Sequence, residues 1–182
     1  MQPLYQLGAV LKALSDPEHY LFTQSDLSSI FPQHTSAALT VLLCRAVKVG
    51  LLKRVCRGLY IYPDACPNNG LLLYHAAAQL RADEFNYISL ESALSDAGVI
   101  SQTPVNWIML MSSGRNRIVN CGVFGHIEFI HTQRLAADLA PFLTWDTRCR
   151  LWRANVCLAL QDMKYTHRNT DLVDWELANE FL

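Results

Sequence analysis

In the stretch "YQLGAVLKAL", Leu7, Val10, Leu11 and Leu14 fall on one face of a helix. "SDPEHYLFT" breaks that period with a turn, and "SDLSSIF" restores it as a short helix. Ser25 is the expected N-cap of this second helix, with Asp26 favourably placed near its positive end. The helix should stop at Phe31, because the residue before Pro32 avoids the helical region. "TSAALTVLLCRAVKVG" predicts a third helix, with Thr35 as N-cap and Gly50 in the C-terminal capping position. Leu39, Leu43, Ala46 and Val47 share its inward face. His34, Ala37, Val41, Cys44, Arg45 and Lys48 point the other way, flanked by Ser36 and Thr40. "LLKRVC" and "LYIYP" then read as two short strands around Arg57-Gly58.

Helix, short helix, longer helix and two-stranded hairpin is the order of a winged helix-turn-helix. The third helix has the length to lie in a major groove about 12 Å wide. The hairpin would then bring Lys53, Arg54 and Arg57 beside phosphates or a minor groove. Two other readings stay open: a basic hairpin also protects a sheet edge from pairing with another chain, and winged helices also serve as protein-interaction modules. Charge favours DNA. Residues 1–62 carry six Lys/Arg against three Asp/Glu, a formal +3, whereas residues 63–182 carry nine against thirteen, a formal −4.

After the turn-rich "PDACPNNG", the pattern changes to a mixture of helices and strands, which divides the chain into domains at 1–66 and 67–182. "LLLYHAAAQLRADE" reads as a helix, "NYISL" as a strand, and "SLESALSDAGVI" as a helix capped by Ser89 and closed at Gly98. "NWIMLMSSG" and "VFGHIEFIHT" are expected strands, with a short one in "RNRIVNCG" between them. In the second of these, Val123, Gly125, Ile127, Phe129 and His131 alternate with Phe124, His126, Glu128 and Ile130. "QRLAADLAPFL" and "DTRCRLWRANVCLALQDMKY" read as helices, the latter from Trp152, Val156, Ala159, Leu160 and Met163 at helical spacing. "TDLVDWELANEFL" closes the chain as a helix with Thr170 as its cap. The expected fold class is therefore α+β: a winged helix-turn-helix, then an α+β domain with a smaller sheet and a helical C-terminal tail.

Composition excludes several classes. Half of the residues are hydrophobic and 17% are charged, so disorder is not expected. No eighteen-residue apolar window and no secretory leader pattern is visible. Six cysteines (44, 56, 66, 121, 149, 157) without a CxxC pair suit reduced thiols and a cytoplasmic protein. Catalysis is not supported. "SSGRNR" lacks the GxxxxGK[ST] spacing of a phosphate-binding loop and reads as a strand-end loop. His126 and His131 point to opposite faces of their strand, and His126 with Glu128 supplies only two ligands, so no metal or other cofactor is expected. Trp145, Trp152, Trp175 and Phe181, with Asp171, Asp174, Glu176 and Glu180, suit either core packing or contact with a partner.

"LLCRAVKVGLLKRVCRGLYIYP" resembles the helix-plus-wing of AbiEi-type antitoxins, which belong to bacterial abortive-infection, type IV toxin–antitoxin operons. "YISLESALSDAGVISQTP" and "GHIEFIHT" resemble that family's C-terminal half, and the resemblance covers roughly residues 5–165. It implies an N-terminal winged helix that binds inverted repeats in its own promoter and represses the operon. It further implies a C-terminal domain that counteracts a nucleotidyltransferase-like toxin. By position, Lys53, Arg54 and Arg57 are then wing contacts to double-stranded DNA, and Ser36, Thr40, Arg45 and Lys48 are recognition-helix contacts. The toxin-opposing surface has no motif that transfers residue by residue, and the acidic helical end departs from the family's usual tail. A regulator of a mobile element without a toxin, or a winged-helix protein-interaction subunit, are the alternatives. Operator symmetry calls for two copies, bound singly or as a homodimer.

Overall fold

The computed structural model describes residues 2–101 and 105–181, and divides the chain into two units, Met1–Gly70 and Leu71–Leu182. Gln102–Pro104 of the "YISLESALSDAGVISQTP" stretch and the terminal Leu182 lie outside the described residues. The first unit ends at Gly70, past Cys66; at its end Ala65 N–H donates to Tyr62 O, Cys66 N–H to Pro63 O, and Ala65 packs on the core.

The first unit runs α1 (Pro3–Leu14), β1 (Leu21–Thr23), α2 (Gln24–Ile30), α3 (Ser36–Lys48), β2 (Lys53–Cys56) and β3 (Leu59–Ile61). Of the four expected apolar positions on α1, Leu7 and Leu11 are fully buried, Val10 is half-buried and Leu14 is exposed. β1 lies in the stretch expected to be only a turn; its Phe22 is buried, and it pairs antiparallel with β3 through Leu21↔Ile61 and Thr23↔Leu59. The cap of α2 is Thr23, not Ser25. Thr23 Oγ1 accepts from Asp26 N–H (3.1 Å) and Asp26 accepts from Thr23 N–H (2.7 Å), a reciprocal capping box that only the residue three before Asp26 can form. α2 ends at Phe31, and Thr35 caps α3 by accepting from Ala38 N–H (3.2 Å). Gly50, at φ +79°, takes the left-handed position that lets the chain leave α3. Leu39, Leu42, Leu43 and Ala46 of α3 close on Leu7, Leu11, Leu27, Phe31 and Leu52 to make the core. Leu42 joins this inward face, and the half-buried Val47 packs against the same core.

The second unit contains α4 (Leu72–Leu80), β4 (Asn86–Ile88), α5 (Leu90–Asp96), β5 (Trp107–Ser112), β6 (Arg117–Asn120) and β7 (His126–His131). α6 (Ala136–Leu139), β8 (Leu143–Asp146), β9 (Leu151–Ala154), α7 (Val156–Tyr165) and α8 (Trp175–Asn179) follow. Its strands form one sheet in the order β6-β7-β5-β4-β9-β8, with β5–β7 and β4–β9 parallel. At six strands against three, this sheet is the larger of the two, contrary to the expected small one. The difference lies in residues 143–154, where the end of one expected helix and the start of the next, from 146 on, are found as a hairpin. Asn155 caps α7 by accepting from Leu158 N–H (2.9 Å), so the helical period holds only from Val156 on.

Three further expectations are corrected. Ser89 sits at the cap position of α5, but its hydroxyl donates to Asp162 (2.7 Å) instead of capping. Val123 and Phe124 belong to a short 3-10 turn, so the β7 alternation starts only at His126; Gly125 (φ +117°) turns the chain there, where a Cβ would overlap the Asn106 carbonyl. Asp174, not Thr170, caps α8, accepting from Glu176 and Leu177 N–H. The architecture is mixed α+β, with helices and two sheets.

Candidate nucleic-acid interface

Around α3, at about 100° per residue, the buried Leu39, Leu42, Leu43 and Ala46 define one side. Ala37, Val41, Cys44 and Lys48 stand opposite, all exposed. Ser36 and Thr40 lie on one flank and Arg45 on the other, also exposed. Thr40 Oγ1 donates to Ser36 O (2.8 Å), so its proton is committed within the helix and it offers outward a methyl group and an acceptor. Arg45 and Val41 (52% exposed) border a groove of about 560 Å³ that is completed by the start of α1, Pro3 and Leu4, and by His34.

In the hairpin, Arg54 pairs with Tyr60 across the strands, and a bulge follows between Arg54 and Cys56. The bulge lets the Arg54 Nε–H donate to Cys56 O (3.2 Å) while Lys53, Arg54 and Arg57 all remain exposed. Gly58, at φ +80°, makes the turn. Burial pushes the Tyr60 hydroxyl up, the Arg54 guanidinium pulls it down and the Cys44 thiol adds to the rise. Cys44 of α3 and Arg54 of β2 therefore both lie within electrostatic reach of Tyr60. Arg45 borders the groove on the α1 flank. Sequence reasoning does not single out Tyr60; its place opposite Arg54 depends on strand register, which "LYIYP" alone leaves open.

Arg45, Lys48, Lys53, Arg54 and Arg57 form no ion pair among the described residues, and no Asp or Glu occurs between Asp26 and Asp64. Several arginines of the second unit are paired instead. Arg153 binds Asp96 and Asp146 (2.8 Å), Arg168 bridges Glu91 (3.0 Å) and Glu128, and Arg134 holds the fully buried Asp162 (3.0 Å). These ion pairs join separate strands and helices of the second unit.

Other residues of the second unit that could carry chemistry have partners of their own. His126 stacks on Trp107 at 4.5 Å, and Glu128 accepts from Trp107 Nε1 and Arg168, so the pair weighed as metal ligands is spoken for. Among the described residues no group of three His, Cys, Asp or Glu is placed to hold a metal. Burial, then the Asp146 charge, push the Cys149 thiol up to about 11, far from a reactive thiolate. "SSGRNR" joins β5 to β6, with Arg81 donating to Ser112 Oγ (2.7 Å) and Gly114 O contacting His131 Nδ1 (2.8 Å). No described helix is long and apolar enough to cross a membrane.

No family model matches the chain, and neither does any curated protein sequence. Its fold is similar to the crystal structure of RV2827C protein from Mycobacterium tuberculosis, with a TM-score of 0.53 and 16% identity over 81% of this chain and 53% of that one. The chain spans about half the length of that protein, and at this identity the likeness concerns the fold alone.

Proposed function

We propose that the chain is a non-enzymatic, cytoplasmic DNA-binding repressor whose first unit is a winged helix, with α3 as recognition helix and β2–β3 as wing. The observation that carries this reading is the set of five cations without carboxylate partners on α3 and the hairpin, in a stretch of chain with no acidic residue. Exposed, uncompensated Lys and Arg beside a helix with an open face is the electrostatic footprint of duplex binding. The element order α1-β1-α2-α3-β2-β3 and the sheet order β1-β3-β2 support the same assignment. Ser36, Thr40 and Lys48 face the major groove, Lys53, Arg54 and Arg57 contact phosphates, and Arg45 contacts the backbone from the α1 flank. From the resemblance, the repressor acts on its own type IV operon and is the antitoxin of a nucleotidyltransferase-like toxin, with the second unit as the opposing surface. A protein-interaction role is the second reading, favoured by the half-exposed Val41 and the groove beside it.

The test is a salt titration of binding to upstream duplex DNA. Arg54→Ala with Arg57→Ala should lower the slope of log K against log salt by roughly two, one per lost phosphate contact. Both positions are exposed, so the melting curve should stay within about 0.5 kcal/mol of wild type. A folded double variant with an unchanged slope removes the wing assignment, and no binding to any duplex leaves the protein-interaction reading.

A further inference from the structure

We propose that β8 is a self-association edge: two copies of the chain pair through antiparallel β8 strands in the register centred on Thr144, which sets Trp145 of each copy against Leu143 of the other. β8 ends the sheet, so one side of its backbone has no strand neighbour. Its pairing with β9 fixes which groups face outward. Asn155 N–H donates to Phe142 O (2.9 Å), and the register Leu143↔Ala154, Thr144↔Arg153, Trp145↔Trp152 alternates from there. Thr144 and Asp146 therefore exchange bonds with β9, while Leu143 and Trp145 turn their N–H and C=O groups to the open edge. Centring the second copy on Thr144 uses both outward residues of each strand. Pro141, with no N–H to offer, falls beyond the paired stretch.

The side chains of this edge are those of a contact, not of a protected rim. Trp145 and Trp152 meet edge-on at 5.4 Å, yet stay 47% and 41% exposed. Sheets that end in water carry charge or a bulge on the last strand. β6, at the opposite end of this sheet, shows an exposed Arg117. β8 has no basic residue, and its one acid, Asp146, is turned to Arg153 (2.8 Å) on the other face. The proposed register makes one apolar row, Trp152–Trp145–Leu143 of the second copy, and repeats it by symmetry.

Self-complementarity selects a second copy over a foreign strand. Antiparallel pairing lays the turn after β8, with exposed Arg148, alongside the second copy's α6, with exposed Asp138; neither side chain has an ion pair among the described residues. Each interface thus gains two oppositely charged contacts from one patch, the isologous arrangement of a two-fold dimer. Two tryptophans and one leucine per copy cover several hundred Å² in all, below the roughly 1,000 Å² of a permanent interface. The dimer is therefore concentration-dependent. This inference does not rest on DNA binding, although two copies are what an inverted repeat needs.

Sedimentation of the full chain from low to several hundred micromolar should show a monomer–dimer equilibrium, and Trp145→Glu should weaken it at least tenfold. In a Cys44→Ser background, Thr144→Cys should form an intermolecular disulfide under mild oxidation, because a non-hydrogen-bonded antiparallel pair brings the two Cα atoms to about 4.5 Å. Ile118→Cys, on the opposite edge, should not. Thr144 is exposed, so this variant keeps the fold and the cross-link reports geometry alone. A chain that stays monomeric at every concentration overturns the proposal and leaves the edge to another protein. A dimer in which the Thr144→Cys variant cross-links no faster than the Ile118→Cys variant overturns it too, by placing the contact elsewhere.

Discussion

Asp146 shows what an arginine does in this chain when it has a partner. Burial works against its charge, but hydrogen bonds from Arg153 and from the Cys149 amide hold its carboxyl at about 2. A folded pKa below the ordinary carboxylate value stabilises the fold fully above pH 4, and that stability is lost as pH falls through about 2. Asp162 works in the opposite sense: burial raises its pKa although Ser89, Tyr87 and Arg134 oppose the rise, so it favours the fold at low pH and loses that contribution as pH climbs. Asp146 is therefore one source of acid sensitivity between pH 4 and 2; the exposed Asp16, held low by the amide of Glu18 and by His19, is another. Asp146→Asn should cost on the order of 1–2 kcal/mol at pH 7, after discounting for solvent screening, and should flatten the acid limb of stability measured by urea unfolding across that range. A variant whose stability falls as steeply as wild type between pH 4 and 2 removes this assignment. Arg54 and Arg57, with no such carboxylate, are expected to affect stability little and binding much.

At the scale of elements, the first unit is largely legible in the sequence because its punctuation is local. Phe31-Pro32 ends α2, Thr35 begins α3 and Gly50 closes it, each by a rule that needs no tertiary partner. β1 escapes a sequence reading because three residues are too short to show a period; its strand state comes from pairing with β3. The β8–β9 hairpin escapes it for a different reason. Trp152 happens to continue the helical spacing of Val156, Ala159, Leu160 and Met163, and only the Asn155 cap separates the two states. Asn at a cap is a visible signal that the apolar spacing outweighs. Asn155→Ala should cost about 1 kcal/mol by leaving the Leu158 N–H without its acceptor, read as a lower urea midpoint at unchanged slope. Asn155→Asp or Asn155→Ser should recover most of it, since either side chain can cap. For the candidate interface, the outward side of α3 follows from period alone, whereas the place of Tyr60 opposite Arg54 requires the folded sheet.

Over the whole molecule, charge divides where the contacts divide. Residues 1–70 hold six Lys/Arg and four Asp/Glu, a formal +2, and residues 71–182 hold nine and twelve, a formal −3. Each unit has its own sheet and its own buried side chains: Leu7, Leu11, Leu27, Phe31, Leu43 and Leu52 in the first, Tyr87, Ile88, Leu90, Leu110, Ile127 and Phe129 in the second. A fragment of residues 1–70 should therefore unfold cooperatively by itself, with only a few kcal/mol of stability, as expected for a core of this size. If the proposed wing and recognition helix are the whole DNA-binding surface, that fragment keeps salt-sensitive duplex binding. Its loss of affinity on paired half-sites then measures what β8 contributes by joining two copies. A fragment of residues 71–182 should fold, dimerise weakly and not bind duplex, because its negative charge opposes the approach of phosphates and Arg134, Arg153 and Arg168 are already paired. Circular dichroism of each fragment comes first, then fluorescence anisotropy with labelled duplex at two salt concentrations. Duplex binding by residues 71–182, or its absence from a folded 1–70 fragment, would reverse the division of labour, since the unpaired cations would then not be what holds DNA.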